Sequence, residues 1–219
     1  MKFIIFTKKK WDIQNYKKLD KKKFVILNKL NERIVNRLKP NLIFFIHWSK
    51  IVPSKIYENF YCIQFHSSDL PRFRGGSPIQ NQIIRGIKKT KLTAFKMGSK
   101  IDCGDIILKK KLSLDGQAGK IYREMEKTSI RMINIISKKK IKTYHQKGKS
   151  SYFKRRLPEE SNLNKIKIKN LSFFYNFMRM LDADGYPNAF LNFNKYKISF
   201  KNIKKNNIEI TGNFKIEKK

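Results

Sequence analysis

Apolar residues fall in short runs along the first part of the chain, separated by polar segments with helical spacing. Phe3-Ile-Ile-Phe6, Phe24-Val-Ile-Leu27, Leu42-Ile-Phe-Phe-Ile46 and Tyr61-Cys-Ile-Gln-Phe65 are strand-sized and largely apolar on both faces. Runs of that length predict strands buried on both sides, as in parallel sheets. Between them, Trp11, Ile13, Tyr16 and Leu19 share one face of a predicted helix over 11–19. Ile34, Val35 and Leu38 do the same over 31–38, and Pro40 stops that helix. Ile51-Val-Pro53 opens a further helical turn.

Strands that alternate with helices predict an α/β fold, here a Rossmann-like, mainly parallel sheet with right-handed crossovers. Past residue 66 the pattern continues. Ser77 reads as an N-cap, Pro78 as the first helical residue and Gly86 as the C-terminal stop of a helix over 77–85. Leu92–Met97 reads as a strand, Gly98–Gly104 as a tight loop and Asp105–Leu108 as a strand. A long amphipathic helix is predicted over Ala118–Ser137, with Ile121, Met125, Thr128 and Met132 on its apolar side.

From about residue 139 the character changes. Residues 143–157 are basic and rich in Lys, Gly and Ser, like a connecting arm. An aromatic helix follows over Leu171–Leu181. Short strands then alternate with turns: Ala189–Phe193, Tyr196–Phe200, Ile208–Ile210 and Phe214–Ile216. The expected organisation is a main α/β domain at 1–138, a basic linker at 139–170 and a small C-terminal α+β subdomain at 171–219.

Composition narrows the picture. The net charge is +35, from 51 basic residues of which ten are Arg. Such a charge suits a polyanionic partner such as RNA, DNA or an anionic membrane. The lysines are spread along the whole chain, however, and Lys, Asn, Ile and Phe are enriched together, which favours a compositional origin. Two cysteines, Cys62 and Cys103, exclude a disulfide framework, and three scattered histidines make a metal site unexpected. The apolar runs fall far short of the roughly 18 residues of a membrane span. The first of them is too short for the core of a secretory leader. A reduced, cytoplasmic protein is expected.

Chemistry converges on His66. It ends a buried strand and opens a loop, His66-Ser-Ser-Asp-Leu-Pro-Arg-Phe-Arg-Gly-Gly-Ser-Pro-Ile79, that feeds a helix. Open α/β sheets bind ligands at the ends of their strands. Asp102, in the loop Ile101-Asp-Cys-Gly104, is a candidate partner that would favour the imidazolium and orient the ring. Gln64, two residues before His66, shares its face by strand alternation. An amide, an imidazole and a carboxylate suit oxyanion stabilisation and proton transfer.

The ordered set from His66 through Leu70-Pro71, Arg74-Gly75-Gly76 and Pro78-Ile79, then Arg85-Gly86, Lys91-Leu-Thr93 and Ile101-Asp-Cys-Gly-Asp-Ile-Ile107, resembles the folate-dependent formyltransferases. The resemblance covers about residues 40 to 140. A weaker likeness continues in Tyr152–Glu160 and Phe177–Pro187, which look like the linker and C-terminal segment of formyltransferase-like proteins. It implies 10-formyltetrahydrofolate as donor, a primary amine as acceptor and no metal. It implies that His66, as imidazolium, and the amide of Gln64 hold the oxyanion while Asp102 keeps His66 charged and aligned. It further implies a pterin held by Ser49, Lys50, Ile51 and Val52 on one side and Met97, Gly98, Ser99, Lys100 and Ile101 on the other. Ser68, Arg74 and Gly75 would form the acceptor loop. The family pattern has Asn where this chain has Gln64. The favoured acceptor is a nucleotide-linked amino sugar, because the C-terminal part is small and Ser67-Ser-Asp-Leu70 differs from the loop of the tRNA enzymes. The alternatives are initiator methionyl-tRNA, as in methionyl-tRNA formyltransferase, and a non-catalytic RNA-binding relative of the fold.

Overall fold

The computed structural model describes residues 2–7, 16 and 19–219. The helix expected over 11–19 lies outside the described residues except at Tyr16 and Leu19, both buried. In chain order the elements are β1 (Phe3–Thr7), β2 (Phe24–Leu27), α1 (Glu32–Leu38), β3 (Leu42–Ile46), α2 (Ser54–Asn59) and β4 (Cys62–His66). Then come β5 (Arg74–Gly75), α3 (Pro78–Ile83), β6 (Lys89–Lys96), β7 (Ile106–Ser113), α4 (Ala118–Ile136) and β8 (Tyr152–Phe153). The last are α5 (Leu171–Arg179), β9 (Phe190–Phe193), β10 (Tyr196–Lys205) and β11 (Ile210–Lys218).

Six strands form one sheet in the order β2-β1-β3-β4-β6-β7, as the α/β reading expects. The first four are mutually parallel, and β6 runs antiparallel to β4. The register explains the core. Ile4 and Phe6 of β1 pair with Ile43 and Phe45 of β3 and pack with Trp48, Val52, Ile56 and Cys62. Phe6 and Phe45 stack at 5.1 Å, and Trp48 closes on both rings at 5.6 and 5.8 Å. The intervening residues point the other way. There Phe24, Phe3, Phe44 and Phe65 form an aromatic row across four strands, with centroids 5.0 to 6.4 Å apart. Each buried ring contributes about 1.5–3 kcal/mol relative to an exposed one. Strands so apolar on both faces have one stable place, the middle of a covered sheet.

Two compact units are distinguished: Met1–Arg74 with Lys91–Lys111 and Met125–Ser151, and Gly75–Thr90 with Leu112–Glu124 and Tyr152–Lys219. The first holds most of the six-stranded sheet. In it, Asn31 caps α1 by accepting from the Ile34 amide, and Lys39 in the left-handed region ends the helix. In the second, Asn170 caps α5 in the same way through the Phe173 amide. Ser77 precedes α3 as expected but does not cap it. Its backbone is left-handed, at φ 51°, and its hydroxyl accepts from the Arg156 amide.

The C-terminal sheet has the order β11-β10-β9. Two strands expected at 208–210 and 214–216 are one continuous strand, β11. The Asn206 side chain accepts from the amides of Ile208 and Glu209. This local turn takes Ile208 out of the ladder, so the strand begins at Ile210. On α4 the buried stripe runs through Ile121, Met125, Ser129, Met132 and Ile136, with Ser129 in place of the expected Thr128. No helix among the described residues is long and apolar enough to cross a membrane.

Candidate active site

The strand order turns between β1 and β3, and the chain leaving the C-terminal end of β3 is the segment 47–53. Ligand crevices of open α/β sheets lie at such a turn. His66 ends the next strand, β4. Cys62, Gln64 and His66 alternate onto the face that carries Phe45 and Trp48, and Gln64 is half-buried beside Phe45. The Cys62 thiol is pushed up to about 12 by burial, so it is packing material and not a nucleophile.

His66 is 6% exposed. Its Nδ1 lies 3.5 Å from Oδ2 of Asp102, and its Nε2 donates to the Phe73 carbonyl at 2.6 Å. The expected pair is therefore brought together, by a route that differs from the one expected. Because β6 is antiparallel, the loop after it starts at the far end of β4: the Met97 amide donates to the Cys62 carbonyl. That point is four strand residues, about 13 Å, from His66. The loop folds back to cover the distance. Asp102 sits within it at φ 53°, a strained conformation for a residue other than glycine.

The loop after His66 is braced from within. Ser68 is fully buried and its hydroxyl donates to the Arg72 carbonyl, while Thr93 Oγ1 donates to the Ser68 carbonyl, each at 2.6 Å. Asp69 is flanked by Lys91 at 3.0 Å and Lys109 at 2.5 Å, and Lys109 also holds the Leu70 carbonyl. Partial burial pushes the Asp69 carboxyl up, but the two ammonium groups outweigh it and hold the group below its usual value. Phe73 is left-handed, at φ 58°, which turns its carbonyl onto His66.

Two contributors were not legible in the sequence. Ser151 accepts from the Phe73 amide through its hydroxyl and from the Arg74 amide through its carbonyl. Gln146 Oε1 accepts from Arg74 Nη2 and Nε at 2.7 and 3.2 Å, and its Nε2 donates to the carbonyls of Asp102 and Gly104 at 2.9 and 2.8 Å. Both lie in the basic stretch that reads as a connecting arm, which has no periodicity to mark it. Gly75 and Gly76 have packing reasons of their own. A Cβ at Gly75 would lie 2.4 Å from the Phe153 carbonyl oxygen, and one at Gly76 2.3 Å from the Arg155 backbone.

The two segments expected to hold a pterin leave a common patch of core, since Val52 belongs to the cluster against which Met97 packs. Beside these anchors Ile51 and Ile101 are 92% and 60% exposed. Ser49, Lys50, Gly98, Ser99 and Lys100 are exposed as well. Two large apolar side chains thus stand at the surface beside buried or half-buried neighbours. Among the described residues no group of three His, Cys, Asp or Glu could hold a metal ion. A groove of about 520 Å³ in the second unit, lined by Gln117, Asn202, Lys204, Thr211, Gly212 and Asn213, lacks acids and histidines, so the chemistry does not belong there. Arg179 and Tyr186 are structural. Arg179 is buried and donates to Leu114 and Gly116 carbonyls and to Asn176, and Tyr186 stacks on Tyr122 at 5.0 Å.

With this geometry in hand, known proteins offer a comparison. Residues 15–130 match the family profile described as formyl transferase, and residues 158–217 match the C-terminal domain of methionyl-tRNA formyltransferase. Methionyl-tRNA formyltransferase of Rickettsia typhi (strain ATCC VR-144 / Wilmington) is 39% identical over 84 residues, which is 37% of this chain and 28% of that protein. The aligned part is thus little more than a quarter of that relative's length. The structure of methionyl-tRNA formyltransferase from Clostridium thermocellum superposes with a TM-score of 0.93 at 38% identity and covers all of both chains. A sugar N-formyltransferase from a Shewanella species reaches a TM-score of 0.67 at 19% identity, covering 89% of this chain and 93% of the other, which shows a shared fold alone. A profile that spans the site loops, and a solved structure that matches from end to end, place this chain in the formyl transferase family.

Proposed function

We propose that this protein moves a formyl group from 10-formyltetrahydrofolate to the amino group of methionyl-tRNA. The observation that carries the acceptor is the match along the whole chain, C-terminal part included, to methionyl-tRNA formyltransferase. The amino-sugar acceptor favoured from sequence rested on the small C-terminal part and the Ser67–Leu70 loop. The C. thermocellum chain has the same extent as this one, so a small C-terminal part no longer argues for a sugar. The net charge of +35 suits a polynucleotide acceptor.

The residues divide the work. Val52 and Met97 anchor the two segments whose exposed parts, Ser49–Ile51 and Gly98–Ile101, receive the folate ring. The loop carrying Ser68, Arg74 and Gly75 presents the acceptor amine. Both nitrogens of His66 face acceptors, so a ring that satisfies both contacts bears a hydrogen on each. Asp102 keeps its contact to Nδ1 throughout. Nε2 is the nitrogen that changes partner: it leaves the Phe73 carbonyl and donates to the formyl oxygen as negative charge develops there. The Gln64 amide, on the same face, is the second donor. Donors placed where charge appears in the transition state are worth about 100- to 1,000-fold each. Asp102 then accepts, through water, the proton that the attacking amine loses, and that proton passes to the folate nitrogen as its bond to the formyl carbon breaks and tetrahydrofolate leaves.

The test is formylation with 10-formyltetrahydrofolate and a panel of acceptors: initiator methionyl-tRNA and nucleotide-linked amino sugars. Formylmethionyl-tRNA is the expected product. His66→Ala should lower kcat at least about 100-fold. Formylation of a sugar and not of the tRNA would reinstate the sugar acceptor. Transfer to neither, with RNA binding untouched by His66→Ala, would leave a binding module on the same fold.

A further inference from the structure

We infer that Gln146 is a positioning residue for the His66–Asp102 pair: its side-chain amide ties the loop carrying Phe73 and Arg74 to the loop carrying Asp102. The inference rests on the formyl-transfer reading above.

The two acceptors of the imidazole come from different loops, Phe73 from one and Asp102 from the other. Gln146 is bonded to both: to the side chain of Arg74, next to Phe73, and to the carbonyl of Asp102 itself. The contacts close a circuit that runs from His66 through Asp102, Gln146, Arg74 and Phe73 back to His66. Shortening or lengthening any link moves the two acceptors relative to the ring.

The chemistry of the bridge specifies an amide. A guanidinium only donates and a backbone carbonyl only accepts. The group between Arg74 and the carbonyls of Asp102 and Gly104 must therefore accept at one end and donate twice at the other. A carboxylate fails at the carbonyls, and a cation fails at Arg74. Both amide hydrogens and both acceptor positions of Gln146 are in use.

The bridge is itself anchored. Tyr144 exchanges backbone hydrogen bonds with Ile106 at 2.8 and 3.0 Å, His145 Nδ1 meets Asp105 at 2.5 Å, and Ser151 grips Phe73 and Arg74. The residue it steadies most is Asp102, whose left-handed backbone is held at its own carbonyl and, two residues on, at that of Gly104.

Gln146→Met removes the bonds at nearly constant volume. Gln146→Glu keeps an acceptor for Arg74 but turns oxygen toward two carbonyls. Both variants should lower kcat about 100-fold, the cost of a displacement near 1 Å at a reacting centre, and leave the KM for the folate donor unchanged. In an Asp102→Asn background, Gln146→Met should lower kcat no further, because the bridge acts through Asp102. The ring ¹⁵N resonances of His66 should shift in Gln146→Met and stay in place in the exposed control Lys149→Ala. Wild-type kcat in Gln146→Glu, or full additivity with Asp102→Asn, overturns the inference. If Gln146→Met does not fold, Gln146→Glu carries each measurement. A wild-type protein that formylates nothing fails the functional reading alone. The His66 resonances then decide the bridge: a shift in the variant sustains it, and no shift overturns it.

Discussion

At the scale of single residues, Gln64 is the departure with the most direct consequence. A glutamine reaches one methylene further than the asparagine of the family pattern, and the backbone of β4 is fixed by pairing on both sides, to β3 and to β6. The added length has to be taken up by the side chain itself. Gln64→Asn withdraws the donor by about 1 Å, and a site built around glutamine should then lose up to about 100-fold in kcat. Steady-state kinetics with unchanged or faster turnover would show that Gln64 holds no charge. Asp69 offers a pH test. Its carboxyl is depressed by Lys109 and Lys91, so its contribution is present above the ordinary carboxylate range and is lost as the pH falls through the lower folded value. Asp69→Asn should cost no more than about 1 kcal/mol at pH 7, the scale of a partly exposed ion pair. Denaturant melts of the two proteins should converge on acidification, and a constant gap down to pH 3 would contradict the assignment.

At the scale of elements, the close approaches in the loops explain why glycine recurs there. A Cβ on Gly104 would lie 1.7 Å from the Lys96 carbonyl oxygen, where the chain leaves β6 and returns into β7. Gly104→Ala must push that turn open, and Asp102 is two residues away. The expected result is a loss of about 2–3 kcal/mol in thermal melting, with kcat falling more than KM changes. An alanine variant as active and as stable as the parent would show that the turn has slack. Much of the arrangement was legible in sequence. Short apolar runs and the stop at Pro40 are local signals, and each element they mark is present. Ser77 does not cap α3, because its side chain finds a partner 79 positions along the chain. The two short strands expected at the C-terminus are one because Gly212, between them, lies inside β11.

At the scale of the whole molecule, charge is the dominant property. A net +35 will draw any polyanion, and counterion release makes such binding fall steeply with salt. For a tRNA acceptor, the KM for methionyl-tRNA should rise severalfold or more between about 50 and 200 mM salt, while the KM for folate changes little. A salt-independent tRNA KM would point away from this acceptor. The amino-acid sequence by itself determined the α/β class, the first four strands of the main sheet and the small C-terminal α+β part, and it singled out His66 and Asp102 as a candidate pair, because periodicity and ordered motifs are written locally. Tertiary structure decided how Asp102 reaches His66, since an antiparallel β6 starts its loop at the far end of β4 and only folding brings it back. Tertiary structure also decided that Phe73 meets His66, that Gln146 meets Asp102 and Arg74, and that Ser151 meets Phe73. A backbone carbonyl has no sequence identity, and a glutamine in a polar stretch shows its partners only once chain positions 72 apart have been folded together.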